Sequence, residues 1–287
     1  RSADRRRAAD AASTEGGGGV SLHVINVEQG SPEWHDARRG IVTASVVGQL
    51  VSARRPSAID VDCPKCGAAS EDPCAGARVA VLATPHSERA DVARQSPPVI
   101  APTGGIETKA LATLLASERI TGWTEEGFTS RAMERGHMDE PLARDHYSET
   151  HKPADEAGFM VRDDWGFIIG YSPDGLVDDD GLLEIKSRAP KKHLATIVAG
   201  TVPAENMAQL QAGLLVSGRD WIDYVSWCGG MPMYPVRVYP DEAWFAALVA
   251  AAEAVEVAIR DLISTYSDRV AGLPATERID YEMERVI

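Results

Sequence analysis

Asp174, Glu184 and Lys186 are the residues whose types and spacing could act together chemically. Nine residues separate the aspartate from a Glu-x-Lys, and the stretch reads as a β-hairpin. Side chains two apart in a strand share a face, so Glu184 and Lys186 project together, and Asp174 on the neighbouring strand can join them. Two carboxylates and an ammonium on one sheet face are costly to bury unless something pairs with them. A divalent cation held by the carboxylates, with the lysine beside the attacking water, is the chemistry of metal-assisted phosphodiester cleavage. The same residues also fit an acidic hairpin with a surface ion pair. Leu182, Leu183 and Ile185 flank the polar pair and place the strand in a core, and Ser172-Pro173-Asp174-Gly175 is turn chemistry that fixes the first carboxylate.

A second group has soft ligands. Cys63-x2-Cys66-x7-Cys74-x11-His86 has the character of a closed, tetrahedral structural Zn²⁺ site. Three free thiols in a loop is the alternative. The surrounding segment is too polar to build a core without a staple. Three of the four cysteines crowd this segment and Cys228 sits alone in an apolar strand, a pattern that points to a metal site and a reducing compartment rather than to disulfides.

The 287 residues suffice for one large domain, or for one domain with a module inserted. Hydrophobic residues make up 44% and charged residues 25%, ordinary globular values. No window approaches a membrane span, and Arg5-Arg6-Arg7 is not followed by the apolar stretch of a secretion signal. The expected location is therefore cytoplasmic. The net charge of −14 opposes a nucleic-acid substrate, because phosphate contacts need Lys and Arg, and favours an acidic enzyme with a small substrate. Bound metal would neutralise part of the acidity. Local basic clusters (Arg38-Arg39, Arg54-Arg55, Arg131 with Arg135, Arg188 with Lys191-Lys192) could line a channel, and Arg78 or Arg89 could also touch DNA.

The elements that must position these groups follow from periodicity and punctuation. Residues 1–20 read as a disordered tail. Ser31-Pro32 caps a short helix ended by Gly40, and Thr43 or Ser45 caps a second helix to about Leu50. Trp34 reads as core. Pro, Gly, Cys and Ser break the pattern over 54–104, the expected zinc-binding module. Helices are expected over Ile106–Arg119 and Thr129–Glu149. Short strands follow over Gly158–Val161, Gly166–Tyr171, Gly175–Val177 and Gly181–Lys186. Helices over Pro190–Ala199 and Pro203–Val216 precede strands at Trp221–Trp227 and Met233–Val238, then a long helix over Asp241–Tyr266. The expected fold class is α/β (α+β), a mixed central sheet flanked by helices. The core spans 21–53 and 105–267, the module interrupts it, and 268–287 forms a C-terminal arm.

Four ordered blocks carry a family resemblance. They are Glu28-Gln29-Gly30 with Glu33-Trp34-His35, Arg38, Gly40 and Thr43-Ala44-Ser45; Gly136 to Glu140 with Ala143; Ser172-Pro173-Asp174-Gly175 with Glu184-Ile185-Lys186; and Met207-Ala208-Gln209-Leu210-Gln211. Across about 27–265, apart from the insertion, the chain resembles the phage lambda exonuclease group, the YqaJ-type viral recombinases of the PD-(D/E)xK nuclease superfamily. The resemblance implies a restriction-endonuclease-like core and an enzyme that degrades one strand of linear duplex DNA from its 5′ end, releasing mononucleotides and leaving 3′ overhangs. It also implies a ring-shaped homotrimer around DNA, a single-strand annealing protein as partner, and a phage or prophage gene expressed in a bacterial host.

The resemblance assigns roles residue by residue. Asp174 and Glu184, with the Ile185 carbonyl, would hold Mg²⁺ or Mn²⁺, which suit hard oxygen ligands. Lys186 would serve the attacking water or the transition-state charge. Glu140 falls beside the metal, and Asp164 where a second metal can be bound, with Asp163 as its competitor for the register. Gln209 is placed near the metal water and Gln211 in structural support. Arg38 and Ser45 match positions that hold the 5′-terminal phosphate, the first by its guanidinium fork and the second at a helix start. A structure-specific endonuclease or nickase guided by the zinc module, and a non-catalytic DNA-binding assembly protein, are the alternatives.

Overall fold

The period-two stretches in the middle of the chain form strands and the period-3.6 stretches form helices. The computed structural model describes residues 22–76, 80–124 and 130–278. The tail expected over 1–20, Arg78, and the part of the C-terminal arm beyond 278 lie outside the described residues. The strands are β1 (Leu22–Ile25), β2 (Val42–Thr43), β3 (Val51–Arg54), β4 (Val99–Pro102), β5 (Ala154–Asp155), β6 (Phe159–Arg162), β7 (Ile169–Tyr171), β8 (Gly175–Val177), β9 (Gly181–Ser187), β10 (Trp221–Trp227) and β11 (Tyr234–Val238). The helices are α1 (Pro32–Arg38), α2 (Ala44–Val47), α3 (Ser87–Gln95), α4 (Ile106–Thr121), α5 (Arg131–Thr150), α6 (Pro190–Ala199), α7 (Ala204–Ser217) and α8 (Glu242–Val270).

Described residues of 1–48 and 128–245 form one compact unit. The mixed α/β core is present there, with its strands shared between two sheets ordered β1-β6-β7-β2 and β11-β10-β9-β8-β5. Strand β9 is interior, antiparallel to β8 and parallel to β10. A parallel pair needs a long crossover, and α6 and α7 supply it. The apolar residues of β9 explain its place. Leu182 and Leu183 are fully buried, and Leu183 and Ile185 pack with Val177, Val225, Trp221, Ala143 and Tyr147 of α5. Burying a Leu side chain contributes about 2 kcal/mol, so this cluster anchors the strand that carries the charged residues. Helix α7 stops at Gly218, whose φ of +69° suits a residue without a Cβ.

Described residues of 49–127 and 246–287 form the second unit. Antiparallel β3 and β4 pair Val51 with Pro102 and Arg54 with Val99, so the two ends of the stretch 55–98 stand side by side. That stretch holds a 3-10 turn at Ala58–Asp60 and the helix α3. Leu111, Ala112, Leu115 and Ala116 bury one stripe of α4, and Arg119 of that helix donates to the buried Glu256 of α8 at 2.8 Å.

Some elements differ from expectation. The helix expected from Thr43 to Leu50 is four residues long, because Thr43 is taken into β2 and Val51 begins β3. Helix α3 forms within a stretch that reads as irregular, since a short polar helix leaves little apolar period. The β1 edge strand escapes sequence reading for the same reason: three of its four residues are exposed, and its place comes from pairing with β6.

Candidate active site

The β8–β9 register pairs Gly175 with Leu183, which sets Asp174 opposite Glu184. Both carboxylates are buried, Asp174 at 7% and Glu184 at 1% exposure. Asp174 Oδ2 accepts the Ile185 N–H at 2.6 Å. Glu184 Oε1 accepts from Lys186 Nζ at 2.6 Å and from Gln209 Nε2 at 2.5 Å, and its Oε2 accepts from the Tyr171 hydroxyl at 3.1 Å. The structure thus gathers Asp174, Glu184, Lys186 and Gln209 at one point. Gln211, on the same helix as Gln209, instead donates to the Tyr239 carbonyl and accepts from the Asp241 N–H.

Glu140 of α5 approaches from the side. It accepts from Arg144, one helical turn on, at 3.3 Å. Arg144 also donates to the Asp174 carbonyl at 2.5 Å and pairs with Glu156. A cavity of about 530 Å³ borders this group, lined in part by Glu28, Gln29, His137, Glu140, Arg144 and Pro173. Asp164 lies in the β6–β7 turn, where its carboxylate accepts from Arg162 Nε at 2.7 Å.

The electrostatics show an excess of negative charge. Burial pushes the Asp174 carboxyl well above the usual carboxylate range, and the charges of Glu184 and Glu140 push the same way. Burial also raises Glu140, with Arg144 opposing and Glu184 adding. Burial disfavours the Lys186 ammonium, but Glu184 and Asp174 outweigh that loss and hold it above its ordinary value. A cluster of buried carboxylate oxygens whose like charges are only partly offset is the donor set that suits a hard divalent cation.

Arg38 forms the second part of the site. Its guanidinium lies 3.9 Å over the Trp34 ring and donates to Ser45 Oγ at 3.0 Å, with longer contacts of 3.5 Å to Thr43 Oγ1 and Ser172 Oγ. Among the described residues its partners are neutral hydroxyls and aromatic rings, and burial lowers its pKa to about 10. Trp34, read from sequence as core, is half-buried; its ring carries Arg38 and its Nε1–H donates to Ser172 Oγ at 2.9 Å. Ser172 is two residues from Asp174, so the arginine cradle and the acidic group share one short stretch of chain. Other expected basic contacts are engaged internally. Arg39 pairs with Asp36, Arg54 with Asp60, and Arg188 donates to Tyr224 and Asn206.

In the second unit, one ligand atom from each of Cys63, Cys66, Cys74 and His86 lies within 4.8 Å of all the others. Cys63 and Cys74 are buried. All four cysteines of the chain are free. Backbone N–H groups of Ala68 and Ala75 lower the Cys66 thiol to about 6, whereas burial raises that of Cys63.

Residues 33–220 match the family model of the YqaJ-like viral recombinase domain. The chain belongs to this family. Among solved structures it is similar to an alkaline exonuclease (LHK-Exo) from Laribacter hongkongensis, at 27% identity and a TM-score of 0.58, over 85% of this chain and 100% of that one. It is also similar to LHK-Exo in complex with dAMP, at 26% identity and a TM-score of 0.60 with the same coverage. No curated protein matches the chain. The YqaJ-like match contains the acidic group, the Arg38 cradle and the Cys/His cluster alike. No helix among the described residues is long and apolar enough to cross a membrane.

Three residues of the YqaJ-like site escape sequence reasoning. Tyr171 carries the hydrogen bond to Glu184 Oε2, and its signal, a Tyr immediately before Ser-Pro-Asp-Gly, is indistinct from a core aromatic. Gly213 lets that ring in, for a Cβ there would stand 2.8 Å from the Tyr171 Cζ. Arg144 escapes as well; its one local signal is its place as the i+4 partner of Glu140.

Proposed function

We propose that the protein is a divalent-metal-dependent deoxyribonuclease, a 5′→3′ exonuclease that degrades one strand of linear double-stranded DNA and leaves 3′ overhangs for phage-type recombination. The observation that carries this reading is the meeting of Asp174, Glu184 and Lys186 at one buried point, with Glu140 alongside. Family membership and the likeness to LHK-Exo, solved with a deoxynucleoside monophosphate, support it. Asp174, Glu184 and the Ile185 carbonyl would hold Mg²⁺ or Mn²⁺; Glu140 supports them, and Asp164 is the candidate for a second ion. When bound, the ion supplies Lewis acidity at the scissile phosphate and a deprotonated nucleophile.

The chain's own residues do the rest. Gln209 and Tyr171 hold the two Glu184 oxygens, so the carboxylate is oriented before substrate arrives. Lys186, kept protonated by its acidic neighbours, offsets charge that develops on the phosphate. Arg38 and Ser45, with Thr43, offer donors to a terminal 5′ phosphate, and the fork of the guanidinium suits two of its oxygens. The domain reading stays as proposed from sequence: nuclease core at 21–53 and 105–267, inserted module at 54–104 and terminal arm at 268–287. A homotrimeric ring, an annealing protein partner and the bacterial cytoplasm complete the proposal.

Digestion of 5′-phosphorylated linear duplex in Mg²⁺ tests it. Release of mononucleotides by the wild type, and its loss in Lys186→Ala, is the expected result. Cleavage of closed circular DNA would favour an endonuclease or nickase, and DNA binding without turnover in Mg²⁺ and Mn²⁺ would favour an assembly protein.

A further inference from the structure

Arg89 is the largest fully buried side chain among the described residues, at 0% exposure, in a module otherwise rich in polar residues. It stands on α3 three residues after His86, which caps that helix. Its guanidinium donates from Nε to the Val61 carbonyl at 2.7 Å, from Nη1 to the Asp72 carbonyl at 2.7 Å and to Cys74 Sγ at 3.5 Å, and from Nη2 to the carbonyls of Ala69 at 2.6 Å and Ile59 at 3.4 Å. Carbonyl dipoles solvate the guanidinium but do not neutralise it. Among the described residues no carboxylate pairs with it, and a guanidinium stays charged even when buried. Burying such a cation without an opposite charge is strongly unfavourable. The opposite charge must therefore come from the sulfur that it touches.

We propose that Cys63, Cys66, Cys74 and His86 form a structural Zn²⁺ site and that Arg89 is the internal counter-ion of that site. Three thiolates, one neutral imidazole and Zn²⁺ sum to a single negative charge, which the guanidinium cancels. The donor set is soft, closed and four-membered, the preference of Zn²⁺ rather than of Mg²⁺ or Ca²⁺. Backbone N–H groups are already turned to the sulfurs, those of Lys65 and Cys66 to Cys63 and those of Ala68 and Ala75 to Cys66. His86 Nδ1 lies 3.4 Å from Cys63 Sγ. Arg89 thus ties the segments at 59–61, 69 and 72–74 to α3 and balances the metal complex at their centre. This inference stands apart from the nuclease reading and survives its failure.

The full chain, purified and desalted, should retain about one zinc ion per molecule by mass spectrometry. Reconstitution with Co²⁺ should give the thiolate charge-transfer and d–d bands of a tetrahedral site. Arg89→Gln keeps donors and loses charge; it should weaken Zn²⁺ binding about 10- to 100-fold in competition with a chromophoric chelator. Arg89→Lys keeps the charge and should hold zinc more tightly than Arg89→Gln. Absence of both zinc and a Co²⁺ spectrum in the wild type overturns the site, whatever the variants do. Equal weakening by Gln and Lys, or no weakening by Gln, overturns the counter-ion role.

Discussion

At the β8–β9 hairpin the buried excess of charge is negative, three carboxylates facing Lys186 and Arg144; around Cys74 it is positive, one guanidinium among carbonyls. The ligand atoms differ in the same sense, hard oxygens in one place and soft sulfurs in the other. The scaffolds differ too. Strand β9 is packed by Leu182, Leu183 and Val225 at 0% exposure, so the acidic group sits on structure that exists without an ion. The Cys/His segment buries little besides Cys63, Cys74, Arg89 and Ala93, so the proposed ion would be part of what holds it. An unbalanced buried charge thus indicates the sign of what completes it, and the surrounding core decides whether completion serves reactivity or folding.

The most severe way to break this contrast is Asp174→Asn. Degradation of linear DNA should fall by about 1,000-fold. Metal-free protein should nevertheless melt higher by a few degrees, because one of the crowded carboxylates is gone and the amide oxygen can still accept the Ile185 N–H. The sign follows from the raised carboxyl. The folded chain holds that proton more tightly than the unfolded chain, so the metal-free wild type loses stability as pH rises from the usual carboxylate range through the raised value. Thermal scans in chelator across that range should show a shallower slope for the variant, and identical slopes would refute the account.

Metal removal is the next test. Stripping the proposed zinc should cost the module several kcal/mol and expose residues 55–98 to protease, while β9 amides keep their protection from hydrogen exchange. Equal protection of both regions, with and without metal, would erase the distinction. A smaller effect is expected from Arg38→Ala, about 10- to 100-fold slower attack on 5′-phosphorylated ends and little change on 5′-hydroxyl ends in steady-state assays. A uniform loss on both ends would remove Arg38 from phosphate recognition. Smallest is Tyr171→Phe. Losing one hydrogen bond to Glu184, worth about 1 kcal/mol, should raise the Mg²⁺ concentration for half-maximal activity a few-fold.

The grouping of the acidic residues was legible in part because a strand has period two: Glu184 and Lys186 share a face and Asp174 can join them from the neighbouring strand, while the apolar flanks mark β9 as interior and set this hairpin apart from a surface ion pair. The pairing of Arg38 with Ser45 could not be read that way and came from family resemblance, since how helices α1 and α2 face each other is set by tertiary packing. Tyr171 and Arg144 were missed as site residues because nothing local marks which oxygen a buried hydroxyl or guanidinium will find. Arg89 read from sequence as a possible DNA contact; the structure instead turns it inward, where four carbonyls from three segments converge. Such convergence leaves no periodic trace.

Ser172 accepts from both Trp34 and Arg38, and Pro173 stiffens its link to Asp174. In the proposed nuclease, the stretch Ser172-Pro173-Asp174 therefore works as a ruler. It would set the distance between a held strand end and the bond to be broken, so the increment by which such an enzyme advances would be written into three consecutive residues.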